Sequence, residues 1–260
     1  MTHPIAQTLA RGHNRRHGDC HLGLRTGSAR DEWVSTAALL GNDEHLPATL
    51  DRIGIEIGSA RRDVQASILL EAYAWRLVLP LAGALVAEQR VAIPTLHDVA
   101  LRPGEGRPTE LLLRPGRFSA LCNDRAAAHH GARPVRTPTA LCEIFEETLI
   151  SHFEPLVVAL NRGYGRSTRA LWRTIGDRTA TALLHAGLAC KDRHTSEQLA
   201  HQILSGAPPL DVTPAYARIL IDDRSVPVHL RRGCCLWWRT AAATYCATCP
   251  LRYPVDRAQA

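Results

Sequence analysis

The sequence predicts an α+β fold: a mainly helical body with a small β-sheet, followed by a C-terminal cysteine-bearing lobe. Three observations carry that prediction. Apolar residues recur at helical spacing through the second half of the chain, as in Leu141, Phe145, Leu149, His152 and Leu156. Short runs such as TELLL and SVPVHL are bounded by turn residues and read as extended. Four cysteines, Cys234, Cys235, Cys246 and Cys249, crowd the end of the 260-residue chain.

In chain order, residues 1–30 are rich in His, Arg and Gly and are expected to be mobile. Asp31 to Leu40 suits a short helix. From Ile57 to about Ala87 the apolar density fits a buried helix, or a helical pair broken at Pro80. Pro103 to Pro108 reads as a loop. Thr109–Leu113 and Arg117–Leu121 flank Arg114-Pro115-Gly116 and read as a β-hairpin. Residues 124–138 read as another loop. The helix carrying Leu141 and His152 should bend at Pro155. Ser167 is placed to cap a helix with the stripe Leu171, Ile175, Ala182, Ala186 and Cys190. Thr195 and Gln198 suit a capping box, with Gly206 as the stop. Ser225–Leu230 alternates and should deliver the chain, extended, to Cys234. The expected division is a segment 1–30, a body 31–222 and a lobe 223–260.

Hydrophobic residues at 45% and charged residues at 22% are ordinary for a globular protein, and the length allows a sizeable core. The formal charge of +6 comes from scattered Arg rather than basic runs. No nucleic-acid motif accompanies it, so no nucleic-acid partner is expected; a basic face suits an anionic substrate or an acidic redox partner. No secretory signal is visible, and the apolar run Leu77–Ala87 is interrupted by Pro80 and Gly83. A cytoplasmic protein without a transmembrane segment is expected, a setting where clustered cysteines favour metal over disulfides.

The cysteine spacing is Cys-Cys-x10-Cys-x2-Cys-Pro. Adjacent cysteines do not easily chelate one small tetrahedral ion side by side, but they suit a polynuclear centre whose thiolates are shared between irons. Cys₄ zinc sites usually come as two pairs with two to four residues between members; Cys246 and Cys249 fit that rule and Cys234 and Cys235 do not. Spacing therefore favours a [2Fe–2S] cluster and an electron-transfer role, with zinc and a metal-free lobe as the competing readings. Arg231, Arg232, Arg239 and Arg252 near the ligands would raise the cluster potential, and burial by Leu236, Trp237 and Trp238 would lower it.

This stretch resembles the C-terminal signature of the FhuF-type ferric-siderophore reductases, including the approach Arg231-Arg232-Gly233 and the closing Pro250. VQASILLEAYAWRLVLPLAGAL from Val64, HFEPLVVAL from His152 and ALWRTIGD from Ala170 are similar to helical stretches of the same family. The resemblance implies a [2Fe–2S] cluster held by Cys234, Cys235, Cys246 and Cys249, with no side chain beyond the cluster in a catalytic role. It implies a cytoplasmic iron–sulfur oxidoreductase that reduces a ferric siderophore by one electron and releases Fe(II). The electron would come from a donor such as a ferredoxin or flavoprotein. A pure [2Fe–2S] carrier or redox-sensing binding protein is the alternative. Siderophore synthetases share part of the helical core, but do not need the four cysteines.

Other candidates are weaker. His13, His17, Cys20 and His21 form a second metal-like set whose spacing would suit one helix face. His152 lies on an apolar stripe and reads as a hydrogen-bonded core histidine. Cys122, Cys142 and Cys190 read as buried small hydrophobes. The basic stretch Asn161–Arg169 reads as a solvated turn between helices. The two tryptophans Trp237 and Trp238 read as packing over the cluster.

Overall fold

The structure, a computed structural model, describes residues 3–18, 20–27, 33–102, 106–206, 208–221 and 223–252. Its helices are α1 (Pro4–Gly12), α2 (Thr36–Gly41), α3 (His45–Ile57), α4 (Arg62–Glu88), α5 (Pro138–Tyr164), α6 (Thr168–Cys190) and α7 (Arg193–Leu204). The strands are short: β1 (Arg16–His17), β2 (Cys20–His21), β3 (Arg25–Thr26), β4 (Val34–Ser35), β5 (Arg90–Ala92), β6 (Val99–Leu101), β7 (Leu112–Leu113), β8 (Phe118–Leu121), β9 (Ala132–Val135), β10 (Tyr216–Ile221) and β11 (Arg224–His229). The mainly helical α+β class holds, with the strands divided among several small sheets.

α4 is the axis of the body. Residues such as Leu69, Leu70, Tyr73, Leu77, Val78 and Leu81 are almost wholly buried, on all sides of the helix. A helix apolar all round belongs in a core. Pro80 was expected to break it, yet the helix continues to Glu88. An interior proline costs roughly 3 kcal/mol, and the packing of Leu77, Leu81 and Leu85 around it is worth more, at roughly 1.5–3 kcal/mol per buried side chain. The uninterrupted helix is long and apolar enough to cross a bilayer by composition, but 78% of its most apolar stretch is buried inside the protein. α6 packs along α4, and α7 folds back on α6. Ser167 caps α6 as expected, accepting from the Ala170 amide. α7 starts earlier than the expected capping box: Asp192, not Thr195, caps it, because its carboxylate accepts from the Thr195 amide. α5 runs through Pro155 as one helix.

The expected hairpin over Thr109–Leu121 does not form. β7 pairs with β6 and β3 in the order β3-β7-β6-β4, whereas β8 pairs with β5 and β9 in a separate sheet. Long-range partners thus outcompete the local turn at Pro115. The loop expected over 124–138 instead holds a 3₁₀ turn, Arg125–Ala128, and β9. Part of the expected loop 103–108 lies outside the described residues.

The expectation of mobility for residues 1–30 is also corrected where the structure describes them. α1 buries Ile5 and Leu9 in the core and packs on α4. Glu88, at the end of α4, accepts from Arg11, Arg15, Arg90 and Thr8. Those partners, the Arg11 hydrogen bond first, hold its carboxyl down at about 2 against the opposing effect of burial. The hydrophobic content of this short helix was hidden among its His and Arg neighbours.

His152 is a core histidine, as its stripe predicts. Its Nδ1 faces the Pro94 carbonyl at 3.2 Å, so that nitrogen donates. Its Nε2 then accepts from the Tyr73 hydroxyl at 2.7 Å. Burial lowers the imidazole to about 4, so it is neutral in the folded protein. Stability from this group is complete above the unfolded histidine value near 6.5 and is lost as pH falls toward 4. Replacing His152 by Leu takes the donor from the buried Pro94 carbonyl and leaves the Tyr73 hydroxyl with Thr36 as its remaining partner. The expected loss is about 2–4 kcal/mol in denaturant unfolding at pH 7, with a shallower fall in stability between pH 6.5 and 4; an unchanged midpoint would refute the assignment.

Candidate metal centre and the cavity beside it

Asp177, on α6, organises the approach to the cysteines. It is fully buried. Oδ1 accepts from His229 Nε2 at 3.0 Å and from the Arg232 amide at 2.9 Å, and Oδ2 accepts from the Gly233 amide at 2.8 Å. One carboxylate thus gathers the end of β11 and the two residues before Cys234. Gly233 is needed for this approach, since a Cβ there would lie 3.1 Å from Asp177 Oδ2 and 3.2 Å from Arg173 Cβ.

Arg231 is the second anchor. Its guanidinium donates to both oxygens of Glu71 on α4, at 2.6 and 2.9 Å, and lies 3.8 Å from Asp177. Arg178 on α6 donates to the same Glu71 carboxylate. Burial pushes Glu71 up, but the charges of Arg178 and Arg231 outweigh it and hold the carboxyl below its ordinary value. Two more contacts complete the docking. Arg166 Nη2 donates to the Cys234 carbonyl at 2.6 Å, and the Ala241 amide donates to the Ile57 carbonyl at the end of α3.

The four cysteines lie on this docked strip. Cys235 and Cys249 are buried, and Cys234 and Cys246 are half-buried. Cys235 Sγ and Cys246 Sγ are 3.9 Å apart. Two sulfurs bound about 2.3 Å from one tetrahedral ion lie about 3.8 Å apart, so this pair already has the separation of two ligands on one iron. The hydrogen bond with Cys246 lowers Cys235 to about 6, assisted by Arg231 and opposed by burial, and the same bond raises Cys246. Arg231 favours the thiolate form of both sulfurs of the pair. The Leu236 amide points at Cys234 Sγ at 3.4 Å, with Leu236 in the left-handed region at φ 63°. An N–H directed at a sulfur is a device that tunes iron–sulfur centres. The Cys249 amide bonds the Cys246 carbonyl, closing the Cys-x2-Cys turn. Among the described residues no three His, Cys, Asp or Glu side chains are gathered for a single ion. Of the four cysteines the structure brings Cys235 and Cys246 to ligand separation, and cysteine sulfurs are the soft, anionic donors that iron and sulfide take.

Cys235 and Cys246 also line a cavity of about 430 Å³ between the lobe and α4. Trp75, Arg76, Arg107, Arg178 and Trp237 form much of its wall. Arg178 lies over the Trp75 ring at 5.2 Å and Arg107 over the Trp237 ring at 5.3 Å. Of the two expected packing tryptophans, Trp237 faces this cavity, whereas Trp238 stacks on Arg239 at 4.7 Å.

Residues 67–225 match the family described as "Ferric iron reductase FhuF-like transporter". Residues 231–251, which contain all four cysteines, match the "FhuF 2Fe-2S C-terminal domain". The chain belongs to the FhuF-like ferric iron reductase family. Its cofactor is a [2Fe–2S] cluster. Among curated proteins none matches significantly. Among solved structures, aerobactin synthetase IucC from a hypervirulent pathotype of Klebsiella pneumoniae is similar at 15% identity, with a TM-score of 0.49 over 65% of this chain and 32% of that one. The chain therefore spans about a third of the synthetase's length.

The other sequence candidates form no group of three that could hold a metal among the described residues. His13 follows the end of α1, and His17 pairs with Cys20 across the β1–β2 hairpin, so the four-residue spacing never forms a helix face. Cys142 is buried and Cys190 half-buried, but Cys122 is exposed, contrary to expectation. The Asn161–Arg169 turn is not merely solvated, since Arg166 braces Cys234. Asp177, Glu71, Arg166 and Arg178 were missed as site residues. Glu71 carried a readable signal, a lone carboxylate inside the apolar run ILLEAYAW.

Asp177→Ala should release the approach strand, because it leaves two backbone N–H groups and His229 without their acceptor. The expected result is loss of cluster absorbance to an external iron chelator at least tenfold faster than in the unaltered protein, about the effect of 1.4 kcal/mol on the closed lobe. Equal rates would show that the carboxylate does not hold the lobe.

Proposed function

We propose that this protein reduces the Fe(III) of a siderophore chelate by one electron, with Cys234, Cys235, Cys246 and Cys249 holding the cluster, and that Fe(II) is released in the cytoplasm. The observation that carries the reading is the presence of Cys235 and Cys246 in the wall of the 430 Å³ cavity. A carrier needs only an exposed edge of its centre; a reductase needs space beside it.

The cluster supplies one electron at a time. The chain's own residues supply the rest. Trp75 and Trp237 offer flat, water-excluding walls, and Arg76 presents positive charge to an anionic chelate. Glu71 occupies Arg178 of α6 and Arg231 of the lobe, so that neither charge is left for the chelate. Hard oxygen donors hold Fe(III) far more tightly than Fe(II), so a one-electron change is enough to loosen the chelate. No side chain has to move a proton. The electron donor would be a small redox protein such as a ferredoxin or flavoprotein.

Anaerobically purified protein should contain two irons and two sulfides per chain, with absorbance that bleaches on reduction. Cys234→Ala, Cys235→Ala, Cys246→Ala and Cys249→Ala should each lose or destabilise that absorbance, and Cys122→Ala or Cys190→Ala should keep it. Full iron, sulfide and colour in Cys235→Ala protein would refute the ligand set. In the reduced protein, a ferric siderophore should restore the oxidised spectrum and deliver Fe(II) to a ferrous trap, while its gallium analogue binds without oxidising the cluster. If no ferric chelate outpaces a ligand-free background and no gallium chelate binds, the protein is a carrier or sensor instead.

A further inference from the structure

A second cavity, of about 440 Å³, adjoins the first. The two share Trp75, Arg76 and Thr109, which stand between them. The far side of the second is formed by His13, Cys20, Leu24 and Leu79 among others, so the N-terminal hairpin and α4 enclose it together. Neither cysteine of the close pair lines this space.

The charges around the two cavities are mostly matched. Arg107 pairs with Glu56, Arg178 and Arg231 pair with Glu71, and Arg25 pairs with Glu110 at 3.1 Å. Arg76 differs. It is exposed, it lines both cavities, and no carboxylate meets it among the described residues. A guanidinium in that position is free to form a forked, two-point hydrogen bond with a planar anion.

We propose that the second cavity receives a carboxylate-bearing arm of the chelate whose iron sits in the first, and that Arg76 is the specificity-determining residue that receives the carboxylate. This rests on the reductase reading. The substrate class it names is a ferric chelate with a free carboxylate on an arm outside the iron's coordination sphere. The same unmatched positive charge disfavours an arm ending in an amine. Placing the negative charge beyond Trp75 also keeps it away from the anionic cluster, so binding does not work against electron transfer.

The test uses the holoprotein and three gallium complexes of one hydroxamate chelator whose arm ends in a carboxylate, a primary amide or an amine. Calorimetry should place the carboxylate form about fivefold to tenfold tighter than the amide, with the amine weakest. Arg76→Gln should bring carboxylate and amide close to equality. Thr109→Trp, an exposed substitution at the neck between the cavities, should erase the same preference by obstructing the arm. Cluster absorbance reports that each variant is folded and loaded. If carboxylate and amide bind the unaltered protein equally, while their ferric forms oxidise the reduced cluster, the arm site is wrong and the reductase reading stands. If no gallium form binds and no ferric form oxidises the cluster, both fall together.

Discussion

The buried ionic lattice of Glu71, Arg178, Asp177 and Arg231 is the constraint on which the rest of the site depends. Burying such groups is expensive, and pairing with opposite charge offsets the cost. Here the pairing joins elements far apart in sequence: α4, α6 and the strip that leaves β11. Asp177 finds its partners in residues 229–233, Glu71 takes one from α6 and one from Arg231, and Arg231 is buried against both carboxylates. Each half of the protein therefore completes the other, and the position of the cysteines against the body follows from that mutual need.

The lattice also separates two tasks along one short segment. Asp177 holds the backbone at Arg232 and Gly233, while Glu71 holds the side chain of Arg231. Backbone placement fixes where Cys234 begins. Guanidinium placement fixes the charge beside Cys235, and so favours its thiolate. The hydrogen bond from Arg166 to the Cys234 carbonyl ties the same point to the α5–α6 turn. Rigid helices, rather than the loop itself, set the geometry of the sulfurs.

The centre was legible in the sequence because four cysteines at a rare spacing are a local signal. The helical body was legible too, since the stripe from Leu141 to Leu156 and the cap at Ser167 are local. What could not be read was non-local. The strands β7 and β8 look like one hairpin in sequence and belong to different sheets because β6 and β5 offer each a better partner. Pro80 looks like a break and is not, because the packing around α4 outweighs its cost. α1 looks like a tail, yet Ile5 and Leu9 find the core and Glu88 gathers its arginines. Asp177 carries no motif of its own; its importance lies in the amides it meets after the chain has returned over fifty residues later.

The first cavity is walled on one side by Cys235, Trp237 and Cys246, and on the other by the outer surface of α4 and the turn Arg107–Thr109. These walls come from separate stretches of chain, and the ionic anchors that fix the redox side do not include the turn. Among the described residues Arg107 is tied to Glu56 alone among carboxylates, and Thr109 is exposed. Thr109 can thus vary without touching those anchors, whereas Arg107 reaches across to the Trp237 ring. Two stretches far apart in sequence thus face each other across one space, one carrying the sulfurs and the other open to change at Thr109.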